Sequence, residues 1–181
     1  SSMMTMGNTI AGERERGELA RLFMTPTSIS SVLAGKITSQ VIRQLISAVI
    51  LILSAIILFN ATIKGSYILL FIVILVSLFC FVGFGMMFSS TARTQEDYIQ
   101  IVMPIAMPMM FICGVFFPTQ TMPPILQEIA QFLPLTYAND AFRTIMIQGG
   151  GLGDITLDLV ILLAFGLVFF IIGVARFNRD I

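Results

Sequence analysis

The chain has 181 residues, of which 57% are hydrophobic and only 11% are charged, and its mean hydropathy is +0.97. Soluble domains carry roughly 25% charged residues, so this composition leaves too little polar surface for a water-soluble monomer and indicates lipid as the solvent. The formal net charge of +0 argues against nucleic-acid binding. The absence of histidine excludes Ser/His or Cys/His catalysis.

The first predicted element is an amphipathic helix over residues 10–26. Its charges alternate in sign and cancel; they are Glu13, Arg14, Glu15, Arg16, Glu18 and Arg21. Leu22 and Phe23 supply an apolar edge, and Pro26 ends the helix. Such a run can be a solvated face, but anionic lipid would favour a net positive charge. A net-neutral helix with an apolar edge therefore predicts a docking surface for a cytoplasmic protein.

Four segments are long and apolar enough to cross a bilayer, which takes about 20 residues of helix. They are residues 41–63, 67–88, 98–117 and 155–175. The predicted fold class is therefore an all-α integral membrane protein with about four transmembrane helices. Pro104 and Pro108 fall inside the third segment and should kink or break it, there or at Gly114.

Polar residues at the helix ends predict how the third and fourth spans begin. Thr94 and Asp97 have the spacing of an approximate capping box before the third span. Asp154 is expected to cap the fourth span, with Asp158 in its first turn, where the helix dipole favours an anion.

The basic residues predict the orientation. Most of them fall on one side of the four segments: Arg14, Arg16, Arg21, Lys36, Arg93, Arg176 and Arg179. Only Lys64 and Arg143 fall on the other side. The positive-inside rule then places both chain ends in the cytoplasm of a multi-pass cell-membrane protein.

The segment 118–154, on the outer side, is predicted to be a re-entrant or interfacial helical hairpin. Pro124 suits the first turn of one short helix, and a second helix is expected from Thr136 to Gln148. Pro134 separates the two, and the glycines at 149–151 end the second helix.

The sequence contains no convincing catalytic or cofactor site. It has no phosphate-binding loop, and Cys80 and Cys113 lack metal-ligand spacing, so no metal or cofactor is expected. Gly151-Leu152-Gly153-Asp154 matches the GxGD signature of intramembrane aspartyl proteases. That activity needs a second aspartate at the same depth, so an intramembrane protease is the weakest alternative.

Several short motifs, in order, resemble the C-terminal part of the type 2 ATP-binding-cassette (ABC) permease family. They are Glu13–Leu19 with Leu22 and Thr25-Pro26, then Gly35-Lys36, Phe88-Ser89-Ser90, Gly114–Pro118 with Met122-Pro123, and Pro134–Tyr137 with Arg143. The resemblance implies a six-helix permease of which the first helix and most of the second precede this sequence, with residues 3–10 as the inner end of the second.

The family works as a dimer of permeases with two cytoplasmic ATPase subunits, so the resemblance implies a second permease copy and membrane lipid as further partners. ATP would be bound by the ATPase, not by this chain. Residues 13–24 would sit in a groove of the ATPase, and charge reversal at Glu15 and Arg16 should weaken that association. An outer gate would form at the turn carrying Gly114, Phe116, Phe117 and Pro118.

The expected function is that of a non-catalytic permease subunit of an exporter that moves an amphiphilic small molecule, drug or lipid-like substrate outward. The absence of ionisable residues at mid-span argues against an ion-coupled transporter. The remaining alternative is a non-transporting assembly or scaffold subunit with the same fold.

Overall fold

The structure is a computed structural model that describes residues 2–15, 29–59, 63–92, 94–116 and 119–177. These ranges contain no β-strand, which confirms the all-α class. The helices are α1 (Ser2–Glu15), α2 (Ile29–Phe59), α3 (Tyr67–Ser89), α4 (Gln95–Ile112), a 3-10 turn (Thr119–Thr121), α5 (Pro124–Gln131), α6 (Pro134–Arg143) with a π-helical turn (Thr144–Gln148), and α7 (Leu152–Phe177).

Three helices within the described ranges are long and apolar enough to cross a membrane. They comprise Gly35–Leu58 within α2, Tyr67–Ser89, which is α3, and Leu152–Arg176 within α7. The span predicted at 67–88 matches α3 closely. The others need correction: α2 begins well before residue 41 and ends at Phe59, and α7 extends beyond 155–175 at both ends. Hydropathy detects only the apolar run of a helix. The helical hydrogen bonds of α2 and α7 continue into residues outside that run, so the helices are longer or shifted relative to the predicted spans.

The segment predicted as the third span, 98–117, corresponds to α4, which is shorter. Its 18 residues measure about 27 Å along the axis. Pro104 and Pro108 lie inside this helix. The helix ends at Ile112, and Gly114 follows with a left-handed φ of 78°. Residues 113–116 are therefore not helical, and of the predicted break points the one at Gly114 is observed.

Helix α3 is the centre of the bundle and contacts α1, α2, α4, α6 and α7. Half of its apolar span is buried, compared with 6% for α2. Its closest neighbour is α7, where a Cβ added to Gly83 would lie 3.2 Å from the Gly166 carbonyl oxygen. The Phe84 and Phe169 rings meet edge to face at 4.8 Å beside this contact. Glycine thus permits the close approach of two long apolar helices.

The two short helices predicted between the last two spans are present. Pro124 and Pro134 each occupy the first turn of a helix, where the missing N–H costs no hydrogen bond. Thr136 Oγ1 donates to the Ala130 carbonyl at 2.6 Å and joins α6 to α5. Buried Ala141 and Ile145 anchor the second helix on α3 and α7.

Candidate functional site

At one end of the bundle, which we call the Glu15 end, α1 caps the first turn of α4. The Gln95 backbone N–H donates to Glu15 Oε2 at 3.2 Å. Beside it, the Asp97 N–H donates to Thr94 Oγ1 at 3.1 Å, and the Thr94 N–H donates to Asp97 Oδ2 at 3.2 Å. Free N–H groups and the helix dipole favour carboxylates at this position. The predicted capping box is confirmed, and the contact of Glu15 with α4 is a feature that the sequence analysis missed.

Besides the apolar packing of Met3, Ile10 and Ala11, the backbone of helix α1 accepts hydrogen bonds from α3 and α4. The buried Tyr98 hydroxyl donates to the Met3 carbonyl at 2.7 Å, and Ser89 Oγ donates to the Gly7 carbonyl at 3.1 Å. The Tyr98 ring covers Gly7 so closely that a Cβ there would overlap it. The end of α3, the start of α4 and all of α1 therefore form one packed unit.

The structure covers only part of the predicted docking segment. Glu13, Arg14 and Glu15 form the end of α1. The other predicted docking residues lie outside the described residues; they are Arg16, Glu18, Arg21, Leu22, Phe23 and Pro26. The predicted boundary at residue 10 needs correction, because α1 begins at Ser2 and buries Ile10 and Ala11 against the bundle. Their apolar side chains face other helices, so residues 10 and 11 belong to the part of α1 that packs in the bundle.

The opposite end, which we call the hairpin end, contains the turn that follows α4. Gly114 adopts the left-handed backbone that favours glycine, and Asn139 Nδ2 of α6 donates to the Cys113 carbonyl at 3.4 Å. The Phe116 ring stacks on Phe111 with centroids 5.2 Å apart. We call residues 113–116 the Gly114 turn. Of the predicted gate residues, Gly114 and Phe116 lie in this turn, whereas Phe117 and Pro118 lie outside the described residues.

A cavity of about 480 Å³, the hairpin cavity, separates the Gly114 turn from α6 and the π-helical turn. Its lining consists of Gly114, Val115, Phe116, Asn139, Phe142, Arg143, Met146 and Ile147. Arg143 is the one charged side chain in this lining. Arg143 belongs to the family pattern in the sequence, but a cavity there could not be predicted. Its lining comes from two separate segments, residues 114–116 and 139–147.

Three charged side chains lie in a row at the contact of α6 with α7. The Asp140 carboxylate interacts electrostatically with Arg143 on its own helix and with Asp158 of α7. Burial raises the pKa of the Asp140 carboxyl above its usual value of 3.8, and the nearby Arg143 guanidinium opposes the shift. Asp140 and Asp158 come from separate elements, so no local sequence signal could have paired them.

Asp154 caps the N-terminus of α7. Because the helix begins at Leu152, Asp154 lies in its first turn and is not the residue before the helix, and Asp158 lies one turn further on than predicted. The Gly151 N–H donates to Asp154 Oδ2 at 2.9 Å. The carboxylate is exposed and caps the helix from within, as an acidic residue at this position typically does. Over the ranges that the structure describes, no group of three His, Cys, Asp or Glu side chains could hold a metal ion.

Comparison with known proteins places these features in one family. The model of the ABC-2 type transporter family matches residues 1–147. The inner membrane transport permease YhhJ of Escherichia coli (strain K12) is 25% identical over 181 residues, which cover 99% of this chain and 48% of that protein. No solved structure matches.

Two further relatives come from a Gram-positive bacterium and a eukaryote. The linearmycin resistance permease protein LnrN of Bacillus subtilis (strain 168) is 30% identical over 174 residues, covering 95% of this chain and 44% of that protein. ABC transporter G family member 20 of Dictyostelium discoideum is 30% identical over 140 residues, covering 77% of this chain and 19% of that protein. The chain thus spans less than half the length of these relatives. With its apolar helical bundle, it belongs to the ABC-2 type transporter family of membrane permeases.

Proposed function

We propose that this chain is the membrane permease of an ATP-driven exporter that moves an amphiphilic small molecule, drug or lipid-like substrate outward across the cell membrane. Family membership supports a transport role, and the name of one relative links such a permease to linearmycin resistance. In this proposal the Glu15 end faces the cytoplasm and the hairpin end faces outward, in agreement with the distribution of Lys and Arg.

The observation that carries the proposal is the packed unit formed by α1 and α4. Besides the bond from Gln95 to Glu15, the Gln95 side chain donates to the Asn8 carbonyl at 3.3 Å. A separate ATPase subunit would bind ATP and dock on the segment 13–26, which begins in the last turn of α1. Movement of that segment would then displace α1 and α4 together, because hydrogen bonds join the two helices. Helix α4 leads directly to the Gly114 turn, so the displacement reaches the proposed outer gate.

The proposal also explains why large apolar side chains are exposed on the outside of the bundle. Large apolar side chains are exposed along α2 and α7; they include Ile46, Ile50, Leu51, Ile57, Leu157, Val160, Leu167 and Ile171. Lipid and a second permease copy would cover these faces, because an apolar surface of this extent is unfavourable in water. The permease itself would contribute no catalytic residue.

The docking assignment is tested by charge reversal in the full-length permease. We expect Arg16→Glu combined with Glu18→Arg to reduce copurification of the partner ATPase by about tenfold, since misaligned charges at an interface cost a few kcal/mol. Glu128→Lys, on an exposed position of α5, is the matched control and should copurify the ATPase like the wild type. Undiminished copurification by the reversal variant would show that this segment does not dock the ATPase.

Glu15 needs a separate variant because it also caps α4. Glu15→Gln keeps an acceptor oxygen for the Gln95 N–H, whereas Glu15→Ala removes it. In proteoliposomes containing permease and ATPase, we expect the Ala variant to hydrolyse ATP while moving less fluorescent amphiphile, with the Gln variant close to wild type. If the wild-type complex hydrolyses ATP but moves no amphiphile, the chain is a non-transporting subunit.

A further inference from the structure

The hairpin cavity combines one cation with an apolar wall. Arg143 is exposed and reaches the cavity from the last position of α6, at the start of the π-helical turn. Asn139 lies one turn earlier on the same helix and also lines the cavity. The Arg143 guanidinium can donate two parallel hydrogen bonds to a phosphate, and the spacing of Asn139 at i−4 adds an amide on the same face.

The remaining side chains of the lining are apolar. Phe116 is 56% exposed and Ile147 is 59% exposed, so both present apolar surface towards the surroundings of the protein. Phe142 and Met146 line the inner wall and pack on the buried cluster around Ala141 and Ile145. A free inorganic anion would leave this surface in contact with water, whereas the first methylenes of an acyl chain would cover it.

The carboxylates near Arg143 do not line the hairpin cavity. They are Asp140 on the same helix and, beyond it, Asp158 of α7. The described lining of the cavity contains no carboxylate, and Asp140 lines a second pocket together with Thr136 and Tyr137. The cation therefore remains available on the cavity side.

We propose that the hairpin cavity binds the phosphate headgroup of an anionic phospholipid, with Arg143 holding the phosphate and Phe116, Met146 and Ile147 contacting the start of the acyl chains. The site does not depend on transport or on its direction, because it requires only that the hairpin end lies at a membrane interface. The cavity shares Gly114 and Phe116 with the proposed outer gate, whereas Arg143, Met146 and Ile147 belong to the hairpin alone.

The absence of tryptophan from the chain allows a direct test. In the full-length protein, with any Trp outside these 181 residues replaced by Phe, Ile147→Trp places a single indole in the cavity lining. In nanodiscs with equal mole fractions of brominated lipid, we expect phosphatidylglycerol to quench this fluorescence with about fivefold higher apparent affinity than phosphatidylcholine, the ratio that one Arg near a membrane surface typically supplies. Equal quenching by the two lipids would overturn the proposal.

Variants of the two cations at the hairpin end show which residue causes the preference for phosphatidylglycerol over phosphatidylcholine. Arg143→Gln should abolish it, and Arg143→Lys should retain part of it, because Lys supplies charge without the planar fork. Lys64→Gln is the matched control: Lys64 is exposed and its backbone N–H contacts the Met146 carbonyl, but it does not line the cavity. A preference that survives Arg143→Gln, or that is lost with Lys64→Gln, contradicts the assignment.

Two competitors separate lipid from a simple anion. Dodecyl phosphate should reduce the quenching by brominated phosphatidylglycerol, and inorganic phosphate at the same concentration should not. Competition by inorganic phosphate alone would mean that the cavity recognises a free anion, which would reject the phospholipid site. The Trp emission during thermal unfolding verifies that each variant is folded, so a loss of preference reports binding and not misfolding.

Discussion

Among single residues, Tyr98 makes the most informative contact, because its hydroxyl is buried and donates to a backbone carbonyl of another helix. Tyr137 offers a natural comparison, since its hydroxyl donates to the Gln131 carbonyl at the same 2.7 Å but at an exposed position. The two bonds have equal length and differ in their surroundings. Water can replace the second bond after the hydroxyl is removed but not the first.

We therefore predict that Tyr98→Phe lowers the free energy of unfolding by about 1 kcal/mol, and that Tyr137→Phe lowers it by less than half as much. For a chain of this size, the first loss corresponds to a decrease of about 3 °C in Tm. Thermal unfolding of both variants in the same detergent, followed by circular dichroism, measures the difference. Equal losses would indicate that the Tyr98 hydroxyl is not isolated from water.

Asp140 gives a second residue-scale prediction, this time for pH. Because its pKa is raised in the folded protein, the folded state binds the proton more tightly than the unfolded chain does. The stability contribution is therefore fully present below 3.8, the usual value, and is lost as the pH rises through the folded-state pKa. Burial causes the shift, and Arg143 only partly offsets it.

Asp140→Asn should remove this loss, because an amide does not ionise. We expect the free energy of unfolding of the variant, relative to that of the wild type, to increase by less than about 1 kcal/mol as the pH rises from 3 to 7, because the half-exposed group is screened, and Tm to increase with it. Glu128→Gln, on an exposed position of α5, is the control for general charge effects. A Tm difference between the Asn variant and wild type that does not change with pH would contradict the prediction.

At the scale of the elements, the contact between α3 and α7 depends on the absence of side chains. A Cβ on Gly83 would lie 3.2 Å from the Gly166 carbonyl oxygen, 3.4 Å from the Phe170 nitrogen and 3.5 Å from Phe169 Cβ. Gly35 of α2 is also helical, but it is exposed, and a Cβ there would meet none of the described atoms within 4 Å. Each glycine lies on a helix that is long and apolar enough to cross a membrane, and the two differ in packing.

We predict that Gly83→Val destabilises the bundle by about 1–3 kcal/mol, the usual cost of overpacking, and that Gly35→Val is close to neutral. The same gain in intrinsic helix propensity applies to both variants, so the difference isolates the contact with α7. Resistance to limited proteolysis and Tm in nanodiscs would measure it. Destabilisation by Gly35→Val to the same extent would show that α2 is packed more tightly than its 6% buried fraction indicates.

The same scale shows which elements the sequence could predict. Helix α3 was found within a residue at each end, because Ser66 precedes its apolar run and polar serines follow it. The capping box predicts the start of α4, and Pro124 predicts the start of α5. Helix α6 begins at Pro134, two residues before the predicted start at Thr136, because proline fits the first turn of a helix as well as a break between helices. The start of α2 was missed, because the polar residues before residue 41 continue a helix beyond the apolar run. Side-chain chemistry marks helix ends well only where it also caps them.

For the whole molecule, the sequence predicted the class and the family but not the packing. The α1 contacts with Tyr98 and Ser89 join residues far apart in the chain, and the electrostatic interaction of Asp140 with Asp158 joins two separate helices. Periodicity describes one helix at a time, so it cannot reveal which helices become neighbours. The family resemblance predicted which part of a six-helix permease these helices represent. The hairpin cavity could be recognised only in the folded structure.

The backbone contacts of α1 have a consequence for how the protein can vary. Tyr98, Ser89 and Gln95 recognise carbonyl oxygens of α1, which every amino acid provides. Evolution can therefore replace α1 side chains outside its buried face while the helix keeps these partners, provided that Met3, Ile10 and Ala11 stay apolar and that Gly7 and Gly12 stay small enough for Tyr98 and Gln95 to approach. Part of the information that positions α1 thus lies in α3 and α4, and a mutational scan should record it there.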